Sequence, residues 1–278
     1  MKEIGKLLAL LLALLLPLAV LSGCSGQQEE MEILFFDAGK ADAILITAPG
    51  AAVVVDTGEK GFGKQILAYL EEREIQHLDA LILTHFDKDH VGGASKLISG
   101  IGIDRVYQSN VPRDSGEYRD YVRALELTGL EAVTLRQSET LKLGELEIRI
   151  DPPIREQFET DPSNNSSLIV SVSWGNTRVL LTGDAEEDRL EEWLESEPDP
   201  YDCVKLPHHG AWEQPLNHLL AVTAPSFAVA TDSDKEPADE KTAALLTSYR
   251  VESYFTREGA VLLKSDGETV NVEYEKWM

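Results

Sequence analysis

The sequence predicts an α/β protein in which two β-sheets pack face to face with helices outside them. Three observations predict it. Strand-like segments followed by helix-like segments occur twice along the chain, an order that suits two covered sheets. No linker, repeat or low-complexity stretch appears after Glu30, so one domain is expected over residues 31–278. Finally, 43% hydrophobic and 27% charged residues in a chain of 278 is a globular mixture able to bury a core. Disordered, collagenous and multi-span membrane classes are excluded.

The N-terminus is a separate object. Lys2 and Lys6 precede an unbroken apolar run from Leu7 to Leu21. Those residues, at about 1.5 Å each, span about 22 Å, short of the roughly 30 Å hydrocarbon core of a bilayer. This is the pattern of a signal peptide over residues 1–23. The run closes in Leu21-Ser22-Gly23-Cys24, which resembles the lipobox of bacterial lipoproteins. That resemblance implies a lipidated Cys24, a polar tether over residues 24–30 and a domain held extracytoplasmically at a membrane. Cys203 is then the one remaining cysteine and reads as core.

From Glu32 the elements follow in order. Glu32 to Phe36, Ala43 to Thr47 and Ala52 to Val55 read as an antiparallel meander, and Gly63 to Arg73 as a helix. Leu78 to Leu83 is a nearly continuous apolar strand. Tyr118 to Leu127 and Glu186 to Leu194 are amphipathic helices, with a strand-rich stretch from Leu130 to Val179. Tyr201 to Leu206 and Phe227 to Ala230 are strands, Ala238 to Tyr249 a helix, and Val261 to Tyr274 two strands around Asp266-Gly267.

The net charge of −24, from 25 basic and 49 acidic side chains, opposes simple electrostatic coating of nucleic acid. It leaves room for one strand meeting a metal site.

The chemistry gathers at three strand ends. The first strand end runs into Thr84-His85-Phe86-Asp87-Lys88-Asp89-His90-Val91-Gly92-Gly93. In extended backbone His85 and Asp87 share a face, and Asp89 and His90 fall in the first helical turn. The second delivers Asp184 just past Thr182-Gly183, and the third ends in Pro207-His208-His209-Gly210. Carboxylates and imidazoles converging in one cleft repel one another when ionised unless a cation neutralises them. Mixed His and Asp donors without thiolate suit Zn2+, with Mn2+ as the alternative, and such an ion activates water near neutral pH.

With these residues in view, the sequence resembles metallo-β-lactamase-fold hydrolases, and among them the soluble domain of ComEC-type competence proteins. The strings that carry the likeness are Phe36 to Ala43, Val55-Asp56-Thr57-Gly58, Thr84 to Gly93, Asn164-Asn165-Ser166-Ser167, Leu181 to Asp184 and Pro207 to Gly210. The resemblance implies an αββα sandwich of two mixed sheets and a site for one or two ions. It implies metal roles for His85, Asp87, Asp89, His90, Asp184 and His208 or His209, with Asp184 bridging and Asp56 buttressing. Asp89 is the candidate catalytic residue.

Two departures bear on activity. No histidine occurs between His90 and His208, so one ligand is missing, and Asn164, Asn165 or Asp161 stands near its place in the order. The Gly-His-Pro-Ser segment common in ComEC-like chains is replaced by Lys235-Glu236-Pro237-Ala238-Asp239. One tight ion and one weak or absent ion are therefore expected.

The function expected is an extracytoplasmic, metal-dependent phosphodiesterase, with DNA among its substrates and Lys88 or Lys205 offsetting phosphoryl charge. The alternatives are a catalytically weak binding lipoprotein for DNA or an envelope ligand, and a small-molecule phosphodiesterase acting on choline phosphate. Gly58 to Gln65 fits a phosphate-loop spacing up to its last position, where Gln65 lacks the hydroxyl that holds Mg2+, so no ATP is expected. No Gly-x-Ser-x-Gly occurs, which disfavours a serine hydrolase.

Overall fold

A computed structural model describes residues 30–275 apart from residue 156. The leader over 1–23, Cys24 and nearly all of the tether lie outside the described residues. The chain opens with β1 (Met31–Phe35), β2 (Ala43–Ala48), β3 (Ala51–Thr57), β4 (His77–Leu83), β5 (Gly102–Gln108) and β6 (Ala132–Thr134). It continues with β7 (Glu139–Leu143), β8 (Leu146–Asp151), β9 (Ile169–Trp174), β10 (Thr177–Leu181), β11 (Cys203–Lys205), β12 (Phe227–Ala230) and β13 (Glu252–Phe255). It closes with β14 (Ala260–Ser265) and β15 (Val270–Glu275).

The first sheet has the order β15-β14-β1-β2-β3-β4-β5-β6 and the second β13-β12-β11-β10-β9-β8-β7. Both are mixed. In the first, β1 to β3 form the antiparallel meander and β3 to β6 run parallel. In the second, β7 to β10 are antiparallel and β10 to β13 parallel.

Strand periodicity explains the layering. Ile33 and Phe35 of β1, Val53 and Val55 of β3, and Ala80 and Ile82 of β4 join the core between the sheets. Their alternates Leu34, Val54, Leu81 and Leu83 pack beneath helices Gly63–Glu72, Ala94–Gly100 and Gly116–Thr128. Strands buried on both faces read as continuous apolar runs, which is how they appear in the sequence. On the second sheet Ile169, Leu180 and Val204 meet Leu190 and Trp193 of helix Glu187–Leu194 and Leu216 and Leu219 of helix Leu216–Thr223. Leu246 of helix Glu240–Tyr249 covers Ala228 and Ala230. The αββα order of layers is thus as the sequence predicts.

The structure adds elements that the sequence reading left out: helices Ala94–Gly100 and Leu216–Thr223 and strands β5 and β13. The phosphate-loop-like segment is a tight crossing instead. A Cβ on Gly93 would lie 2.3 Å from the Thr57 carbonyl and 2.6 Å from the Gly63 nitrogen, so these backbones touch only because Gly93 has no side chain.

Candidate metal centre

Four strand ends supply the site, and each uses an irregularity to aim its side chain. In the β2–β3 pairing Ala43 faces Thr57 and Ile44 faces Val55, so Asp56 is an extra, bulged residue, at φ 55°. A bulge re-aims a side chain. Asp56 accepts hydrogen bonds from the Thr84 amide (2.8 Å) and hydroxyl (2.6 Å) at the end of β4. Beyond β4 the short helix Lys88–Val91 carries Asp89 and His90. After β10, Gly183 adopts φ 54°, and a Cβ there would press on Ser167 and Thr84 at 3.1 Å. That left-handed turn sends Asp184 inward. After β11, His208 and His209 both have positive φ, 45° and 56°. Two consecutive left-handed histidines are a strained arrangement of the kind found at functional sites.

Asp89, His90, Asp184 and His209 converge, each offering one donor atom within 4.8 Å of the others. Asp184 Oδ2 is 3.2 Å from His90 Nε2 and 3.1 Å from His209 Nε2, and Asp89 Oδ2 is 3.5 Å from His209 Nε2. His90, Asp184 and His209 are buried, whereas the Asp89 side chain is 21% exposed and opens the group to solvent.

The outer nitrogens of both imidazoles are already held. His90 Nδ1 lies 2.8 Å from Asp56 Oδ2. His209 Nδ1 lies 3.0 Å from Thr231 Oγ1, whose hydroxyl donates to Asp42 Oδ1 at 2.5 Å. Each ring therefore directs its Nε2 lone pair at the same point. His90 Nε2 and His209 Nε2 are buried and face nothing but the two carboxylates of the group. Two buried nitrogens and two carboxylates around a shared point fit a divalent cation.

The electrostatics agree. Burial alone would raise the Asp184 carboxyl, but His209 and His90 hold it well below the usual range. Burial would also raise Asp89, yet His209 and His90 bring it to about 2. Burial works against a charged His209, and Asp184 overrides it, pushing the imidazole up to about 10. His90 likewise rises despite burial, through Asp184 and Asp56. In the absence of metal, protonated imidazoles supply the positive charge these carboxylates demand.

The other residues marked by the sequence fall around this group. His85 is fully buried, its ring 4.1 Å from that of His90, with Nε2 unpartnered. Burial and the charge of His90 keep it neutral, well below the ordinary histidine range. Asp87 is engaged by Arg113 and the Ser163 hydroxyl, and its Oδ1 is 3.9 Å from His85 Nε2. His208 faces away from the four donors, toward Glu186 (3.3 Å) and Glu213 (3.6 Å). Of the two histidines left open by the sequence, the structure places His209 in the group.

Asn164 donates to Glu186, while Asn165 spans the Thr160 carbonyl and the Arg189 amide, so both amides are committed to holding loops. Lys88 is exposed and pairs with Glu59. Lys205 corrects the expectation of a charge offsetting phosphoryl oxygens, because its side chain is sealed from solvent. Its ammonium contacts Asp42 Oδ2 at 2.5 Å, the Gly183 carbonyl at 2.9 Å and Asp184 Oδ1 at 3.6 Å. Burial would lower its pKa, but Asp42 and Asp184 keep it raised. Asp42 is the residue that sequence reasoning missed. The only signal was its place in the string Phe36 to Ala43, since a lone aspartate before an apolar strand looks like a turn.

Fold and site together define an αββα protein with a candidate metal centre, and the chain belongs to the metallo-beta-lactamase superfamily, whose profile matches residues 37–229. Curated relatives include a competence protein, in keeping with the ComEC-like resemblance. ComE operon protein 3 of Bacillus subtilis is 28% identical over 219 residues, covering 72% of this chain and 28% of that protein. Competence protein ComA of Neisseria gonorrhoeae is 24% identical over 243 residues, covering 86% of this chain and 31% of that protein. The chain thus spans under a third of the length of these relatives. Among solved structures, YhfI of Bacillus subtilis superposes with a TM-score of 0.57 at 12% identity, over 88% of this chain and 100% of that one. Zn(2+)-bound PqqB of Methylobacterium extorquens gives 0.52 at 12%, over 80% and 97%. These two likenesses establish the fold alone.

Proposed function

We propose that this protein is a metal-dependent hydrolase of phosphodiester bonds, with DNA among its substrates, held at the outer face of a bacterial membrane by lipid on Cys24. One observation carries the hydrolase reading: Asp89, His90, Asp184 and His209 converge as a four-donor set whose imidazoles are both locked from behind. These four would hold a divalent cation, zinc or manganese, which when bound would supply Lewis acidity and lower the pKa of water to about 7.

The chain's own residues do the rest. Asp89, ionised at neutral pH and the one member reaching solvent, accepts a hydrogen bond from the attacking water and orients it. Asp56 and Thr231 keep the imidazole protons on Nδ1. Arg113, 44% exposed beside Asp87, is the rim cation placed to meet phosphoryl oxygens. Lys205 takes no part in substrate contact. The ComEC-like resemblance motivates the phosphodiester substrate, and the leader pattern motivates the location.

A second reading, a binding protein with little turnover, draws on one observation. Asp87 Oδ1, the oxygen nearest His85, is shared with Arg113 and Ser163, which weakens that pair as a holder of another ion. The test is turnover of a bis-aryl phosphodiester by the purified protein loaded with zinc or manganese. Turnover lost on chelation and restored by metal supports the hydrolase. Metal binding with no turnover under either ion, together with retention of DNA, supports the binder.

A further inference from the structure

We propose that the ammonium of Lys205 occupies the place of a second cation in this centre, so that the site is completed by one divalent ion. The inference rests on the reading of the four-donor group as a divalent-ion site. Its basis is the division of Asp184: Oδ2 faces His90 and His209, whereas Oδ1 faces Lys205. The oxygen with which a bridging carboxylate would hold a neighbouring ion is turned to the protein's own charge.

The cradle around Nζ is built of oxygens from Asp42, Gly183 and Asp184, the donor type that hard cations take. Strand alternation puts the ammonium there. Cys203 points into the core between the sheets and Val204 toward the outer helices, so Lys205 returns to the inner face at the strand end. Charge counting agrees. Asp42, Asp56, Asp89 and Asp184 carry four negative charges, offset by Lys205, while Asp87 is matched separately by Arg113. One divalent ion with neutral imidazoles leaves a single negative charge, and a second would leave a buried net positive charge, which is costly.

The test is equilibrium dialysis of the purified protein against zinc alone, with elemental analysis, for wild type, Lys205→Met, Asp42→Asn and the double variant. Wild type should hold about one equivalent and Lys205→Met about two, because the cradle is then empty and still anionic. Asp42→Asn should bind zinc at least about tenfold more weakly, because the released ammonium turns to Asp184. The double variant should return to about one equivalent with affinity near wild type. A residue that merely supports the fold would shift both single variants the same way. Two equivalents in wild type, or Lys205→Met and Asp42→Asn weakened alike, would overturn the inference. If Lys205→Met does not fold, the double variant decides: affinity near wild type supports the inference, and affinity as weak as that of Asp42→Asn overturns it. No zinc or manganese in any variant would instead sink the underlying reading of the four donors.

Discussion

His90 and Asp56 are buried side by side, with Nδ1 of the imidazole 2.8 Å from Oδ2 of the carboxylate. Asp56 reaches that position because it is the bulged residue of β3, and it is fixed in turn by two hydrogen bonds from Thr84. The pair determines which nitrogen of His90 is free. Asp56→Ala should therefore cost about 10–100-fold in zinc affinity, the usual loss when an outer partner of a ligand histidine is removed. Competition against a chromophoric chelator measures it, and unchanged affinity would show that the pair only packs.

The adjacent histidines should separate cleanly. His209→Ala removes a donor, and His208→Ala removes a group that faces Glu186 and Glu213. At a hundredfold excess of metal over Kd, binding to the folded state adds about 2.7 kcal/mol. A chelator should lower the melting temperature of wild type and of His208→Ala but leave that of His209→Ala unchanged. Equal chelator sensitivity in both variants would reassign the ligand.

Stability of the metal-free protein should fall as pH rises through the alkaline range. The His209 imidazole sits at about 10 in the folded protein, above its ordinary value of 6.5. A raised pKa gives stability that is fully present below the unfolded value and is lost as pH rises through the folded one. Melting temperature without metal should thus decline between about pH 6.5 and 10. Metal affinity should move the other way, because the ion must displace those protons. A flat melting profile for the metal-free protein over that window would contradict the assignment.

Much of this was legible in the sequence. The doubly buried strands announced themselves as continuous apolar runs, and the histidines and aspartates at three strand ends named most of the site. What could not be read was direction. Which of His208 and His209 turns inward depends on two left-handed residues, and Asp56 is aimed by a one-residue bulge, neither of which has a periodic signature. The pairing of Lys205 with Asp42 escaped for a different reason. Each alone looks like a solvated charge, and only the meeting of the β1–β2 loop with the end of β11 makes them a buried pair. Helix Leu216–Thr223 was passed over because its apolar run is short and lies beside equally apolar strands.

Anchoring is tested by Cys24→Ser. The variant should lose fatty-acid labelling and remain unprocessed, since stable anchoring takes two lipid signals and one chain is marginal. Normal labelling of the variant would remove the lipoprotein proposal.

The most direct test of the central claim pairs metal content with turnover of a bis-aryl phosphodiester in wild type, Asp89→Ala and His85→Ala. Wild type should hold about one equivalent of metal and turn over. Asp89→Ala should lose both the metal and the turnover, because it removes a donor and the acceptor that orients water. His85→Ala should keep about one equivalent while turning over more slowly. A wild-type protein that holds its metal and hydrolyses no phosphodiester with zinc or manganese, or an Asp89→Ala variant as active as wild type, would contradict the account.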